Sequence, residues 1–304
     1  MLKSKKFIAK FCFSIALICL CISYGSGQTE DSMLDDIAPD SEQTTYSTNA
    51  FKSPRVINSN SIEMLRQGVL DFRILHRFGL LSGGGYELFG LDQATMRMAF
   101  DYGITNQLMV GVGRSTNKKE LDGFVKYRIL QQSTGKRNMP ISLVWASGIM
   151  VNGLKDPFGL PDSLAKFKHR LSFYHQLIVG RKFNDKFSLQ LSPMLVHQNL
   201  TSSIVQPNEI FALGLGTRFK ITKRVALTLD TYYTFNKFIN RINELPLALG
   251  VDIETGGHVF QIHLSNATGM NERAFISDSN GDFFKGDFRI GFNLSRWFQI
   301  ARSK

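Results

Sequence analysis

From Gly68 onward the chain alternates between apolar and polar positions. Over 69–78, Leu70, Phe72, Ile74 and Phe78 share one face and Asp71, Arg73 and Arg77 the other. Over 93–102, Ala94, Met96, Met98, Phe100 and Tyr102 oppose Gln93, Thr95, Arg97 and Asp101. This is the period of a strand, not of a helix. Ten more such segments fall at 108–114, 122–131, 140–151, 170–181, 187–198, 209–219, 225–235, 246–254, 258–267 and 287–298. Most have the length that a tilted strand needs to cross hydrocarbon. The pattern predicts an all-β chain of about twelve antiparallel strands.

The connections sharpen this. Long ones are expected at 79–92, 152–169, 199–208, 236–245 and 268–286, and a medium one at 115–121. Short ones are expected at 103–107, 182–186, 220–224 and 255–257, with 132–139 the weakest case. Alternation of short turns and longer loops is the rhythm of a transmembrane barrel with short periplasmic turns and extracellular loops. The short turns "GITNQL", "KFNDKF" and "KITKRV" also share a design: an apolar residue, polar residues, then an apolar restart. A soluble sandwich or lipocalin-like barrel alternates as well. Strand length, even strand count and aromatic strand ends (Phe78, Tyr102, Phe219, Phe235, Phe298) favour the membrane.

If apolar faces meet lipid, parity sends the other face inward. It carries Arg73, Arg77, Arg97, Lys126, Arg128, Arg170, Arg218 and Arg289, against Asp71, Asp101, Asp122, Asp230, Asp252, Glu254 and Asp287. Asp71, Arg73, Arg97, Asp101, Lys126, Arg128, Arg218, Asp230 and Arg289 are the candidate lumen-lining residues. Near balance of sign suggests ion pairs across a filled or narrow interior, not a single-sign selectivity ring.

The N-terminus reads differently. Lys3, Lys5, Lys6 and Lys10 precede an apolar run from Phe11 to Ile22 that is too short to span a bilayer as a helix, then Gly25, Ser26 and Gly27. Residues 1–27 are expected to be a secretory signal peptide cleaved near Gln28. Cys12, Cys19 and Cys21 lie inside it, which leaves residues 28–304 without cysteine. That excludes disulfides and thiolate chemistry there. Residues 28–67 are expected to be an acidic, partly disordered segment; 28–45 holds six acids and no base. The stretch 46–67 is a candidate plug for a barrel over 68–304.

Composition narrows the function classes. The chain has 304 residues, 12% aromatic and 20% charged, with 26 Gly and 25 Phe. A mean hydropathy of −0.08 rules out a bundle of many membrane helices. The net charge is +11, but no basic patch interleaves with aromatics in a nucleic-acid module. No histidine pair has zinc spacing with a third ligand. "GVGRST" at 111–116 lacks a phosphate-loop lysine, and "DSNGDF" at 278–283 only partly follows a calcium loop. No cofactor or metal is implied. His263 and Ser265 share one strand face two residues apart, a spacing that outer-membrane phospholipases use. Here parity turns both inward, so a polar strand face is the reading preferred over a catalytic pair.

Several stretches resemble an uncharacterised outer-membrane β-barrel family common in Bacteroidota. They are "FKSPRVINSNSIE" (51–63), "GVLDFRILHRFG" (68–79), "YELFGLDQATMRMAFDYGITNQLMVGVGRS" (86–115), "DGFVKYRILQQSTG" (122–135) and "HVFQIHLSNATGMNE" (258–272). The resemblance implies an outer-membrane barrel of a Gram-negative cell and no particular activity. One departure is the C-terminus, where Phe298 is followed by residues 299–304. Its expected partners are outer-membrane lipid, the barrel-assembly machinery during biogenesis, and an unidentified periplasmic or surface partner. The expected function is a narrow pore or small-solute channel. The alternatives are a closed scaffold presenting loops 79–92, 152–169 and 268–286, or a lipid hydrolase using His263 and Ser265.

Overall fold

A computed structural model describes residues 43–161, 164, 166–201, 206–235, 244–255, 258–279 and 281–301. The expected signal peptide and residues 28–42 lie outside the described residues. The barrel strands are β1 (Val69–Leu80), β2 (Ala94–Gly103), β3 (Leu108–Ser115), β4 (Leu121–Leu130), β5 (Ser142–Val151) and β6 (Leu171–Lys182). They continue as β7 (Phe187–Gln198), β8 (Glu209–Lys220), β9 (Val225–Thr234), β10 (Leu247–Thr255), β11 (His258–Ser265) and β12 (Arg289–Gln299). Each pairs antiparallel with its chain neighbour, and β12 pairs with β1, so the sheet closes. Each of the twelve expected segments forms one strand. β5 begins at Ser142, after Pro140 and Ile141, because proline supplies no ladder N–H.

Three short turns explain their shared sequence. The carbonyls of Leu108, Phe187 and Val225 each accept the N–H of two turn residues. The side chain of Thr105, Asn184 or Thr222 then accepts the N–H groups two and three residues on. One polar side chain thus satisfies the donors that a tight reversal leaves over. The weak even connection, 131–141, is longer for a different reason. Its Ser133 and Thr134 pair with Tyr46 and Thr45, which clamps the N-terminal segment to the short-turn rim.

Burial alternates along the strands, and the exposed side is apolar. Phe100, Val112 and Leu227 are exposed between ordered strands, while Asp71, Arg97 and Lys126 are fully buried. This inverts the arrangement of a soluble barrel and suits a wall solvated by lipid. Aromatic side chains mark both ends of that wall: Tyr127, Trp145, Phe219 and Phe298 toward the short turns, and Phe173, Phe211, Tyr233 and Phe235 toward the long loops.

Candidate functional site: the occupied interior

The interior is filled from both ends. From the short-turn rim, residues 50–65 enter, turn and return. Arg55 and Asn60 bridge, Val56 N–H bonds the Ser59 carbonyl at 2.9 Å, and Ser61 N–H bonds the Pro54 carbonyl at 2.9 Å. The result is a tight hairpin plug with Val56–Ser59 at its tip, and Ile57, Asn58 and Asn60 are completely buried.

The wall holds the tip by polar contacts. Asp230 on β9 accepts the N–H groups of Ile57, Asn58 and Ser59 at 3.3, 2.8 and 2.9 Å, and the Ser59 hydroxyl at 2.7 Å. A carboxylate surrounded by donors in this way is a strong anchor. Lys126 donates to the carbonyls of Pro54 and Glu63 at 3.0 and 2.6 Å. Gln190 accepts Ile62 N–H at 3.0 Å and donates to the Asn60 carbonyl at 2.8 Å. Arg73 donates to the Ser53 hydroxyl at 2.7 Å.

The apolar side chains of the plug rest on glycines. A Cβ on Gly180 would meet Ile62, one on Gly216 would meet Val56, and one on Gly250 would meet Ile57. Other inward glycines make room for wall side chains: Gly113 for Arg97, Gly148 for Tyr174 and Gly291 for His263. Each buried aliphatic side chain of the plug contributes roughly 2 kcal/mol.

From the opposite rim, residues 266–279 fold inward as a cap. It carries α1 (Glu272–Ser277), all of whose residues are buried. Asn271 caps the helix by accepting Ala274 N–H at 2.9 Å. Phe275 packs edge-on against Tyr232, with centroids 5.9 Å apart. Arg273 pairs with Glu120 at 2.6 Å and Asp278 at 3.2 Å, and Lys118 pairs with Asp278 at 2.8 Å. Burial disfavours a charged Asp278, but Arg273 and Lys118 outweigh it and hold this carboxyl at about 2.

Plug and cap meet inside the wall. Arg55 of the plug pairs with Glu272 of α1 at 2.7 Å. Arg77 of β1 donates to Asn58 Oδ1 in the plug at 2.8 Å and to the Ala267 carbonyl in the cap at 2.7 Å.

The positions chosen by parity fall as follows. Asp71, Arg73, Arg97, Asp101, Lys126, Arg218 and Asp230 are buried on the inner side. Arg97 is paired to Asp122 through both Nε and Nη2. Arg73 lies 3.7 Å from Asp71 and 3.8 Å from Asp101, and Arg218 3.7 Å from Asp252. Arg128 and Arg289 are half-buried nearer the rims, on Gln131 and the Asn266 carbonyl. Arg170 braces the loop after β5 through its carbonyls, and Glu254 meets Lys52 at 2.6 Å. These groups face an occupied interior, not open water.

His263 and Ser265 are both buried and both turned to Arg77, at 2.9 and 3.3 Å. Ser265 therefore receives a hydrogen bond from a cation. In the 278–283 loop, Asp278 serves Arg273 and Lys118, and Asp282 serves Lys285 and Phe284 N–H. Asn280 lies outside the described residues. Sequence reasoning missed the cap. The available signal was the buried pair Phe275–Ile276 behind Asn271–Glu272, an N-cap pattern within a long loop.

The fold and its filling define a class: a closed twelve-stranded β-barrel with a lipid-facing exterior and a stoppered interior. Residues 51–298 match the membrane bound beta barrel domain family DUF5777, and the chain belongs to that family. The match takes in the plug as well as every strand. No curated protein matches the sequence. Among solved structures, an outer membrane channel from Pseudomonas putida F1 is similar with a TM-score of 0.46 and 13% identity, covering 78% of this chain and 98% of that one. The NanC porin gives 0.44 and 8%, covering 74% and 97%. The KdgM porin gives 0.43 and 10%, covering 76% and 99%.

Proposed function

We propose that this protein is a channel of the Gram-negative outer membrane, closed at rest by its own N-terminal hairpin. In this reading the short turns and both chain ends face the periplasm, and a signal peptide is removed near Gln28. The observation that carries it is the nature of the stopper. The middle of the interior is filled by two inserted segments, this hairpin and the cap, and not by wall side chains alone, and the wall behind the hairpin is charged and polar. A barrel of twelve strands encloses space that its own side chains do not fill. Displacement of 50–65 would hydrate a wall that already bears Arg73, Arg97, Asp101 and Lys126. The conducted species is a small solute.

The test is planar-bilayer conductance of refolded 28–304, beside a chain starting at Gly68 and a locked chain. Ile62→Cys with Gly180→Cys supplies the lock, since a Cβ on Gly180 lies 2.8 Å from an Ile62 methyl. Conductance that is rare in the full chain, steady after truncation and abolished by the lock until a reductant is added is expected. A folded, truncated barrel that stays silent even when residues 268–279 of the cap are also deleted would sink the channel reading and leave a closed scaffold.

A further inference from the structure

The two rims differ in charge. Among the described residues, the short-turn rim exposes Arg66, Lys136, Arg137, Lys186, Lys223 and Arg224. Its acids are few: Asp185 is held by Lys182 at 2.9 Å, and Glu254 by Lys52 at 2.6 Å. The long-loop rim carries both signs, with Asp92, Asp156 and Glu209 exposed as well as Arg114, Lys119, Lys155, Lys166, Lys168 and Lys285.

Two further cations lie on the wall itself. Arg181 sits one residue before the end of β6, opposite Leu189, and its guanidinium lies over Phe183 at 5.3 Å. Arg296 lies opposite His258, the first residue of β11, and over Phe298 at 4.9 Å. By strand parity both point outward, toward lipid. Phe183 and Phe298 belong to the aromatic belt at that end. A cation stacked on an aromatic ring keeps its stem in apolar surroundings and its fork near the headgroups. No residue of a soluble partner reaches this level of a lipid-covered wall, whereas a phosphodiester does, and a guanidinium matches it with paired donors.

We propose that the short-turn rim binds anionic phospholipid headgroups, with Arg181 and Arg296 as two wall-mounted phosphate sites and the turn cations as a surrounding field. The two sites lie on opposite sides of the barrel, because β6 and β12 are six strands apart in the closed order. The rim then prefers the leaflet that holds phosphatidylglycerol-type lipid, independently of whether the barrel conducts.

The experiment uses the full chain in nanodiscs of phosphatidylcholine, with and without phosphatidylglycerol. Lipid retention is read by native mass spectrometry, and thermal unfolding by gel mobility. Preferential retention of phosphatidylglycerol and a higher unfolding midpoint are expected. Arg181→Gln with Arg296→Gln should lower the preference about fivefold per cation. Lys186→Gln with Lys223→Gln should lower it less, without change in the midpoint in phosphatidylcholine. Equal retention of the two lipids by the unaltered chain would overturn the proposal. So would an unchanged preference in the double arginine variant. Binding of soluble polyphosphate with no lipid preference would assign the rim to a soluble polyanion instead.

Discussion

Over the arc β1–β8 the inner wall has two unlike halves. Across β1–β4 it carries Asp71, Arg73, Arg77, Arg97, Asp101, Asp122 and Lys126, all buried. Across β5–β8 the inward positions are uncharged except for Arg218 near the short-turn rim; they include Ala146, Tyr174, Gln176, Ile178, Gln190 and Ala212. The plug meets the two halves in different ways. On the charged side the wall charges neutralise mainly one another, and they reach the plug through its carbonyls and a hydroxyl. On the neutral side the plug fits by shape, with Ile62 and Val56 seated on Gly180 and Gly216 and Asn60 bonded to Tyr174 at 3.1 Å. The charged half can therefore stand when the plug leaves, while the neutral half is what selects this particular plug.

The strongest way to break this contrast is inside the charged half. Arg97→Ala leaves Asp122 buried without its partner and should cost about 4 kcal/mol of barrel stability, read as a lower unfolding midpoint on gels. Asp230→Ala should act on the plug, not on the barrel. It strips the acceptor from three buried N–H groups, so roughly 3 kcal/mol of plug anchoring should go. Proteolysis within 43–65 should accelerate while the barrel stays resistant; equal loss of both would refute the distinction. Gly180→Val should cost about 2 kcal/mol by pushing on Ile62, and Ile62→Ala in the same chain should recover most of it. Failure of that rescue would mean the neutral half does not select by shape.

The cap gives a smaller, pH-dependent effect. The folded Asp278 carboxyl is depressed, so its contribution is present above the ordinary carboxylate range and is lost as pH falls toward about 2. Cap protection in hydrogen exchange should decline across that interval by at most about 2 kcal/mol, and Asp278→Asn should abolish the dependence. The finest measurement is a double-mutant cycle of Arg55→Ala and Glu272→Ala. A coupling of about 1 kcal/mol is expected; additivity would show that plug and cap act separately.

Strands and faces were legible because lipid leaves only two environments. A residue such as Phe72 or Arg73 belongs to one or the other, and alternation records which. The turns were legible because Thr105, Asn184 and Thr222 do local work with nearby backbone. The filling was harder to read. The plug tip, Val56–Ser59, has no periodicity, and its partners lie over 170 residues away on β9. The cap was hidden because Glu272 and Arg273 look like solvated loop charges until Arg55 and Glu120 are placed opposite them. The length of 131–141 likewise made sense only once Thr45 and Tyr46 were seen paired to it.

Arg77 gives the molecule a further property. One guanidinium grips a loop that enters from one side of the membrane and a loop that enters from the other. The two leaves of this door therefore share a bolt in the wall, beside the direct clasp of Arg55 on Glu272. A push on the cap and a pull on the plug strain the same guanidinium, so whichever end draws the bolt loosens both.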